Sequence, residues 1–302
     1  MKLIIQPQDG LTPLLRAVRA AKKTIDIVIF RFDRIELEEA LEAAVARGVV
    51  VRALIAHTNR GGEKRLRKLE TRMLAIGITV SRTADDLPRY HAKTMMVDGA
   101  LHVLGFNYTR EDIDRSRSFG VVTRDPRVVK DACALFEADS NRQVYTPSED
   151  RFVVSPDTSR DRLTAFIKGA KKQLCIYDPK VSDNAMQRLL MERAKAGVEI
   201  RIIGKLEKTL AGVETRKLKT LRLHVRAMIR DGTAGFVGSQ SLRKLELEGR
   251  REVGLIIRDS RIAKKMLEVF EADWAEGIVP KDAPPLAGKA RAKAKLKKAR
   301  KD

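Results

Sequence analysis

Two rhythms of apolar and polar positions alternate along the chain. Thr12-Pro13 offers an N-cap followed by proline at the first helical position, and Leu14, Leu15, Val18 and Ala21 then keep a helical period. Thr24 to Phe30 reads as a strand, Ile35 to Arg47 as an amphipathic helix and Gly48 as its C′ residue. A second strand, a connection, a strand hairpin and a final helix follow. Such alternation predicts a mixed or parallel sheet covered by helices.

The pattern then starts again. Ala46-Arg47-Gly48-Val49-Val50-Val51-Arg52 resembles Lys195-Ala196-Gly197-Val198-Glu199-Ile200-Arg201, and Ala21-Lys22-Lys23 resembles Ala170-Lys171-Lys172. Phe119-Gly120-Val121-Val122-Thr123-Arg124-Asp125 likewise matches Val253-Gly254-Leu255-Ile256-Ile257-Arg258-Asp259. The chain therefore reads as two homologous halves, each a mixed β-sheet flanked by helices, related by a pseudo-twofold axis. The expected division is 1–145, 146–280 and a disordered basic tail over 281–302, with a Ser/Pro/Asp-rich linker from Val144 to Pro156. The first half carries an insertion of about sixteen residues, read as a basic helix from Glu63 to Leu74.

Composition narrows the function classes. Lys and Arg outnumber Asp and Glu 61 to 40, a formal charge of +21. The tail from Lys281 holds nine basic and two acidic residues, so about +14 remains on the body. The surface should draw polyanions: nucleic acid, anionic lipid or phosphorylated small molecules. No apolar run is long enough to span a membrane and no secretory leader is visible, so the expected location is cytoplasmic, with peripheral association at a membrane or on nucleic acid. Two cysteines, Cys133 and Cys175, are too few for a disulfide framework or a thiolate metal site and are expected to be reduced core residues.

The chemistry gathers at two of the four histidines, which occupy the same place in the two repeats. These are Tyr90-His91-Ala92-Lys93-Thr94-Met95-Met96-Val97-Asp98-Gly99 and Leu223-His224-Val225-Arg226-Ala227-Met228-Ile229-Arg230-Asp231-Gly232. Positions two apart on a strand share a face, so His91 projects with Lys93 and His224 with Arg226. Asp98-Gly99 and Asp231-Gly232 sit between apolar runs as hairpin turns, a placement that suits a structural part for both aspartates. Small polar turns follow, Gly105-Phe106-Asn107 and Gly238-Ser239-Gln240-Ser241, whose donors can hold phosphate oxygens.

This arrangement resembles the phospholipase D superfamily, whose halves each carry His-x-Lys, four residues, Asp, six residues, then Gly-Ser-x-Asn. The spacing stands at 91, 98, 105 and at 224, 231, 238. Departures are Arg226 for lysine, Ser241 for asparagine, and a serine missing after Gly105. The resemblance implies a phosphodiesterase that needs no cofactor or metal and works through a phosphohistidine. Its catalytic set would be His91, Lys93, Asp98, His224, Arg226 and Asp231, with Asn107, Ser239, Ser241 and Glu252 on the substrate side. By analogy His91 is the nucleophile and His224 the acid; the residues alone leave the reverse open. Glu252 falls where family members carry a carboxylate that orients a histidine, and Ser118 stands at the corresponding place in the first half.

Arg117-Ser118-Phe119 resembles the Arg-Ser-Phe of cardiolipin synthase relatives, so a phospholipid is the first expected substrate. A metal-independent nuclease on DNA or RNA is the alternative, and a non-catalytic phosphate- or nucleic-acid-binding protein comes third. A monomer suffices for a site at the interface of the halves. His102 is expected to be a satisfied strand residue, His57 a loop residue, Met95, Met96 and Met228 core, and Lys64-Arg65-Leu66-Arg67-Lys68 a solvated helix face.

Overall fold

The alternating runs become two mixed sheets in the computed structural model, which describes residues 1–59 and 62–280. The first half runs β1 (Lys2–Gln6), α1 (Thr12–Ala20), β2 (Thr24–Ile29), α2 (Ile35–Ala46), β3 (Val50–Ile55), α3 (Glu63–Ala75), β4 (Thr79–Arg82), β5 (Thr94–Val97), β6 (Ala100–Leu104), α4 (Arg110–Asp114), β7 (Ser116–Thr123) and α5 (Pro126–Asn141). The second runs β8 (Phe152–Ser155), α6 (Ser159–Lys168), β9 (Gln173–Val181), α7 (Asn184–Lys195), β10 (Glu199–Leu206), β11 (Val213–Arg216), β12 (Arg222–Leu223), β13 (Arg226–Arg230), β14 (Ala234–Gly238), α8 (Lys244–Glu248), β15 (Glu252–Ile257) and α9 (Ser260–Glu276). Strand order is β1-β7-β6-β5-β2-β3-β4 in one sheet and β11-β10-β9-β13-β14-β15-β8 in the other. The βαβ units are parallel, β2 with β3 and β9 with β10, while the hairpins that carry the motifs run antiparallel.

The period-2 pattern buries one face of each sheet under its own helices. Leu14, Val18, Ile25, Ile27, Leu37, Leu41 and Met95 pack on the first sheet, and Leu163, Phe166, Leu174, Leu190 and Met228 on the second. The opposite faces meet in a shared core. Val103, Phe119, Val121, Leu135 and Phe136 of the first half lie with Cys175, Tyr177, Val237, Leu255, Phe270 and Trp274 of the second. Inner strands buried on both faces read as nearly continuous apolar runs, as Val253 to Ile257 does. Short β12 crosses over and pairs parallel with β7, Leu223 opposite Arg117.

Several expectations need correction. Leu11, not Thr12, occupies the N-cap of α1, with no side-chain cap bond, so Thr12 already lies in the helix. The supposed linker ends as β8, a buried strand paired antiparallel with β15. Cys133 is exposed on α5 rather than in the core, while Cys175 is buried. The tail over 281–302 lies outside the described residues.

The fourth correction concerns register. The turn of the first hairpin is Asp98-Gly99, with Val97 opposite Ala100, whereas the second has Asp231-Gly232-Thr233, with Arg230 opposite Ala234. Downstream, Leu104 pairs with Gly120 as Gly238 pairs with Gly254, and the Gly105 N–H donates to Phe119 O as the Ser239 N–H donates to Val253 O. The missing residue is thus in the turn. Gly105 stands in the place of Ser239, and Asn107 in that of Ser241.

Candidate active site

His91, Ala92 and Lys93 precede β5, and His224 and Val225 precede β13, so each imidazole projects from the chain as it enters a central strand. The other half anchors each entry. The His91 N–H donates to Arg251 O at 2.7 Å, while the His224 and Val225 N–H groups donate to Arg117 O at 3.3 and 3.0 Å. The two arginines are themselves fastened across the interface, Arg117 to Asp273 at 2.7 Å and Arg251 to Asp139 at 3.2 Å. These reciprocal pairs put both motifs into one site.

The imidazoles differ in their partners. His91 Nδ1 lies 2.8 Å from Glu252 Oε2, and Phe30 meets the ring edge-on at 4.5 Å between centroids. His224 donates Nδ1–H to Gly105 O at 3.0 Å, and its Nε2 lies 3.5 Å from Asp112 Oδ2. In both rings Nδ1 is occupied, which leaves Nε2 for chemistry. Ser118, in the place matching Glu252, is buried with an unpartnered hydroxyl.

Lys93 and Arg226 bond back to the carbonyls of the two histidines, at the entry to the strands rather than two positions along one. Lys93 Nζ donates to His91 O at 2.5 Å and lies 5.3 Å from the Phe30 ring centroid. Arg226 donates to His224 O at 2.8 Å and to Ser241 Oγ at 3.2 Å. Burial pulls Lys93 down to about 7. Burial, then Lys93 and Arg226, hold His91 well below the usual imidazole range; burial and Arg226 do the same to His224 against the opposing pull of Asp112. Each histidine thus feels the cations of both halves. Burial also raises the Glu252 carboxyl, while Lys93 opposes it.

A second pair of carboxylates, unmarked by the motif spacing, stands in the site. Asp112 accepts from the Asn107 backbone N–H at 2.9 Å, its side-chain amide at 2.6 Å and Arg222 at 2.7 Å. Its counterpart Glu246 accepts from the Ser241 N–H at 2.8 Å and from Arg243 and Arg250 at 3.2 Å each. Burial works to raise Asp112, yet His224, Asn107 and Arg222 outweigh it and hold the carboxyl at about 2. The signal was the five-residue step from Asn107 to Asp112, repeated from Ser241 to Glu246.

Other expected site residues serve differently. Asp98 accepts from the N–H groups of Lys22, Lys23 and Thr24, and Asp231 from those of Lys171, Lys172 and Gln173. Both lie at the far end of their hairpins, seven residues and about 23 Å of extended chain from the histidines. They tie the turns to the starts of β2 and β9. Ser239 exchanges hydrogen bonds with the Val253 backbone. Asn107 keeps its Oδ1 buried and unpartnered. His57 stays in its loop, donating N–H to Thr83 Oγ1 at 3.0 Å, and His102 is buried with Nδ1 on Met95 O at 3.1 Å. Met95, Met96 and Met228 are core.

Where β2 and β3 end, beside Phe30, lies a groove of about 280 Å³ lined by Arg31, Phe32, Asn59, Arg65, Lys68 and Thr109 among others. Arg31, Arg65 and Lys68 make no ion pair there among the described residues. Among the described residues no helix is long and apolar enough to cross a membrane.

Comparison with known proteins places this geometry. The polyphosphate kinase of Porphyromonas gingivalis has the same fold, with a TM-score of 0.76 at 18% identity. All of this chain is covered, but it spans only 56% of that kinase. The phosphatidylserine synthase of Haemophilus influenzae Rd KW20 superposes at a TM-score of 0.70 with 12% identity, covering 99% of this chain and 94% of its own. No curated protein sequence matches the chain. The model of the family described as cardiolipin synthase, PLD-like domain, matches residues 14–140 and 163–274, well over half of the sequence. With two halves, two buried histidines and their cations in one interface, the chain belongs to this phospholipase D-like family.

Proposed function

We propose that the protein hydrolyses or transfers at a phosphodiester through a phosphohistidine on His91, with a phospholipid as substrate. The unequal hydrogen bonding of the two imidazoles carries this reading. A carboxylate on Nδ1 makes the opposite nitrogen a better nucleophile and stabilises the charge on the ring once Nε2 bonds to phosphorus. His91 has such a partner in Glu252; His224 has a carbonyl. His224 Nε2 instead faces the Asp112 carboxylate, which favours a proton there. Burial favours the neutral form of both rings, and a bound diester anion beside Lys93 and Arg226 supplies the negative charge that lets His224 hold its proton.

The steps then balance. His91 Nε2 attacks phosphorus, the P–O bond to the departing alcohol breaks, and His224 gives that oxygen its proton. Water or an acceptor alcohol next attacks the phosphohistidine, returning a proton to His224. Lys93 and Arg226 neutralise the equatorial oxygens. The family match supports the phospholipid; Arg117 and Phe119 do not bear on it, since they serve the interface and core. The nuclease reading is favoured by one observation, the cations Arg31, Arg65 and Lys68 gathered beside Phe32 with no ion pair among the described residues, a combination that suits a single strand.

His91→Ala and His224→Ala should each abolish turnover. With an activated substrate, His224→Ala should still trap the adduct on His91, located by mass spectrometry at neutral to alkaline pH. An adduct on His224 would reverse the roles. A panel of phosphatidylcholine, phosphatidylglycerol, single-stranded DNA and bis(p-nitrophenyl) phosphate, each with and without EDTA, separates lipase from nuclease. No turnover of the small diester would leave a binding protein.

A further inference from the structure

A second cavity, of about 660 Å³, opens in the first half between α1 and the strands β1, β6 and β7. It lies at the Asp98 end of β5, away from the histidines. The duplication shows why it exists. Asp98 and Asp231 bind equivalent N–H groups at the starts of β2 and β9, which aligns α1 with α6 and makes Pro13, Ala17 and Val97 the counterparts of Arg162, Phe166 and Arg230. In the second half those three side chains close the gap. The Arg230 guanidinium lies 4.8 Å over the Phe166 ring and donates to Phe166 O, and Arg162 reaches back to Phe152 O in β8. In the first half all three large side chains are gone, and Pro13, Ala17 and Val97 line the opening.

What remains is an apolar floor with a basic rim. Ile4, Pro13, Ala17, Val97 and Val122 form the floor, while Lys2, Arg16 and Arg124 stand around it. Lys2 and Arg16 make no ion pair among the described residues. The nearby carboxylates are committed to backbone, Asp9 to the Ile5 N–H and Asp98 to the turn. We propose that this cavity is a binding site for an amphipathic anion, an acyl chain on the floor with its carboxylate or phosphate head at Lys2 and Arg16. The basic rim disfavours the chain's own basic tail as occupant.

Calorimetric titration of the full chain tests this with four probes: laurate, dodecyl phosphate, dodecyltrimethylammonium and acetate, all below micelle formation. Laurate or dodecyl phosphate should bind saturably at one site, the tighter of the two naming the head group. The cationic amphiphile and acetate should not bind. Ala17→Phe restores the side chain of the second half and should weaken binding at least about tenfold while leaving the melting temperature unchanged or higher. Should that variant fail to fold, Arg16→Glu at an exposed position should weaken binding to a similar extent. Absence of saturable binding, equal binding of the cationic amphiphile, or undiminished binding in the folded variants would overturn the proposal.

Discussion

Asp273→Ala removes the carboxylate that holds Arg117. Asp273 accepts from Arg117 Nε at 2.7 Å, from Nη2 at 3.0 Å and from the Tyr177 hydroxyl at 2.6 Å. The Arg117 side chain is only 6% exposed, so the variant leaves a buried guanidinium with two neutral acceptors, Gln6 O and Gln8 Oε1. Stranding a buried charge costs about 3–5 kcal/mol, and the remaining acceptors place the expected loss near about 3. For a chain of 302 residues, at about 2.1 cal/mol/K of unfolding entropy per residue, that is a fall of about 5 °C in melting temperature. Asp139→Ala, the counterpart across the pseudo-twofold, should cost only about 1–2 kcal/mol. Arg251 keeps Asp157 at 2.5 Å and Ser155 O at 3.2 Å, and burial already lifts the Asp139 carboxyl to about 6. Urea unfolding followed by circular dichroism measures both. Because Arg117 O anchors His224, kcat should fall in Asp273→Ala with KM little changed. Losses equal within about 0.5 kcal/mol, or a loss below about 1 kcal/mol for Asp273→Ala, would refute the assignment of weight to these pairs.

Three further outcomes follow. Both site histidines are held below their ordinary range by burial, so the unfolded chain binds protons there that the native chain refuses; stability is full above about pH 6.5 and is lost as pH falls. Each histidine contributes a slope of about 1.4 kcal/mol per pH unit below that point, and replacing His91 with Asn should flatten the urea-derived profile between about pH 5 and 6.5. Gly105→Ser, which supplies the serine expected of the motif, should destabilise by about 1–3 kcal/mol on thermal unfolding, because a Cβ there would lie 2.8 Å from Phe119 O. Arg226→Lys should keep turnover within about tenfold in a bis(p-nitrophenyl) phosphate assay, since the positive charge remains.

Much of this molecule is legible in its sequence because its elements are regular and occur twice. The βα alternation, the insertion helix α3 and the paired histidines all leave periodic or repeated marks. Register across the first hairpin left only a one-residue deficit, with no mark of where it falls. A turn of two residues in one half and three in the other keeps the number of residues from His to Asp to Gly, while the strand after the turn is displaced by one against its counterpart. Counting therefore matches Gly105 with Gly238, and only the pairing of β6 with β7 corrects it. Composition likewise hid β8, whose four residues are too few to outweigh the polar stretch around them. Asp112 and Glu246 escaped because one half uses aspartate and the other glutamate, and because their part depends on a fold that turns α4 and α8 back toward the histidines.

The crossing of the anchors has an evolutionary consequence. A histidine whose backbone is pinned by the other half cannot be kept in place by either half alone, so an ancestor of half this length would have had to work as a pair of identical chains. In such a pair every substitution arrives twice, on both sides of the axis. Once the two copies share one polypeptide, a change on one side no longer drags its mirror image along. Glu252 where the first half has Ser118, Ser239 where it has Gly105 and Arg226 where it has Lys93 are differences that a pair of identical chains cannot hold, and through them two equal histidines become free to specialise.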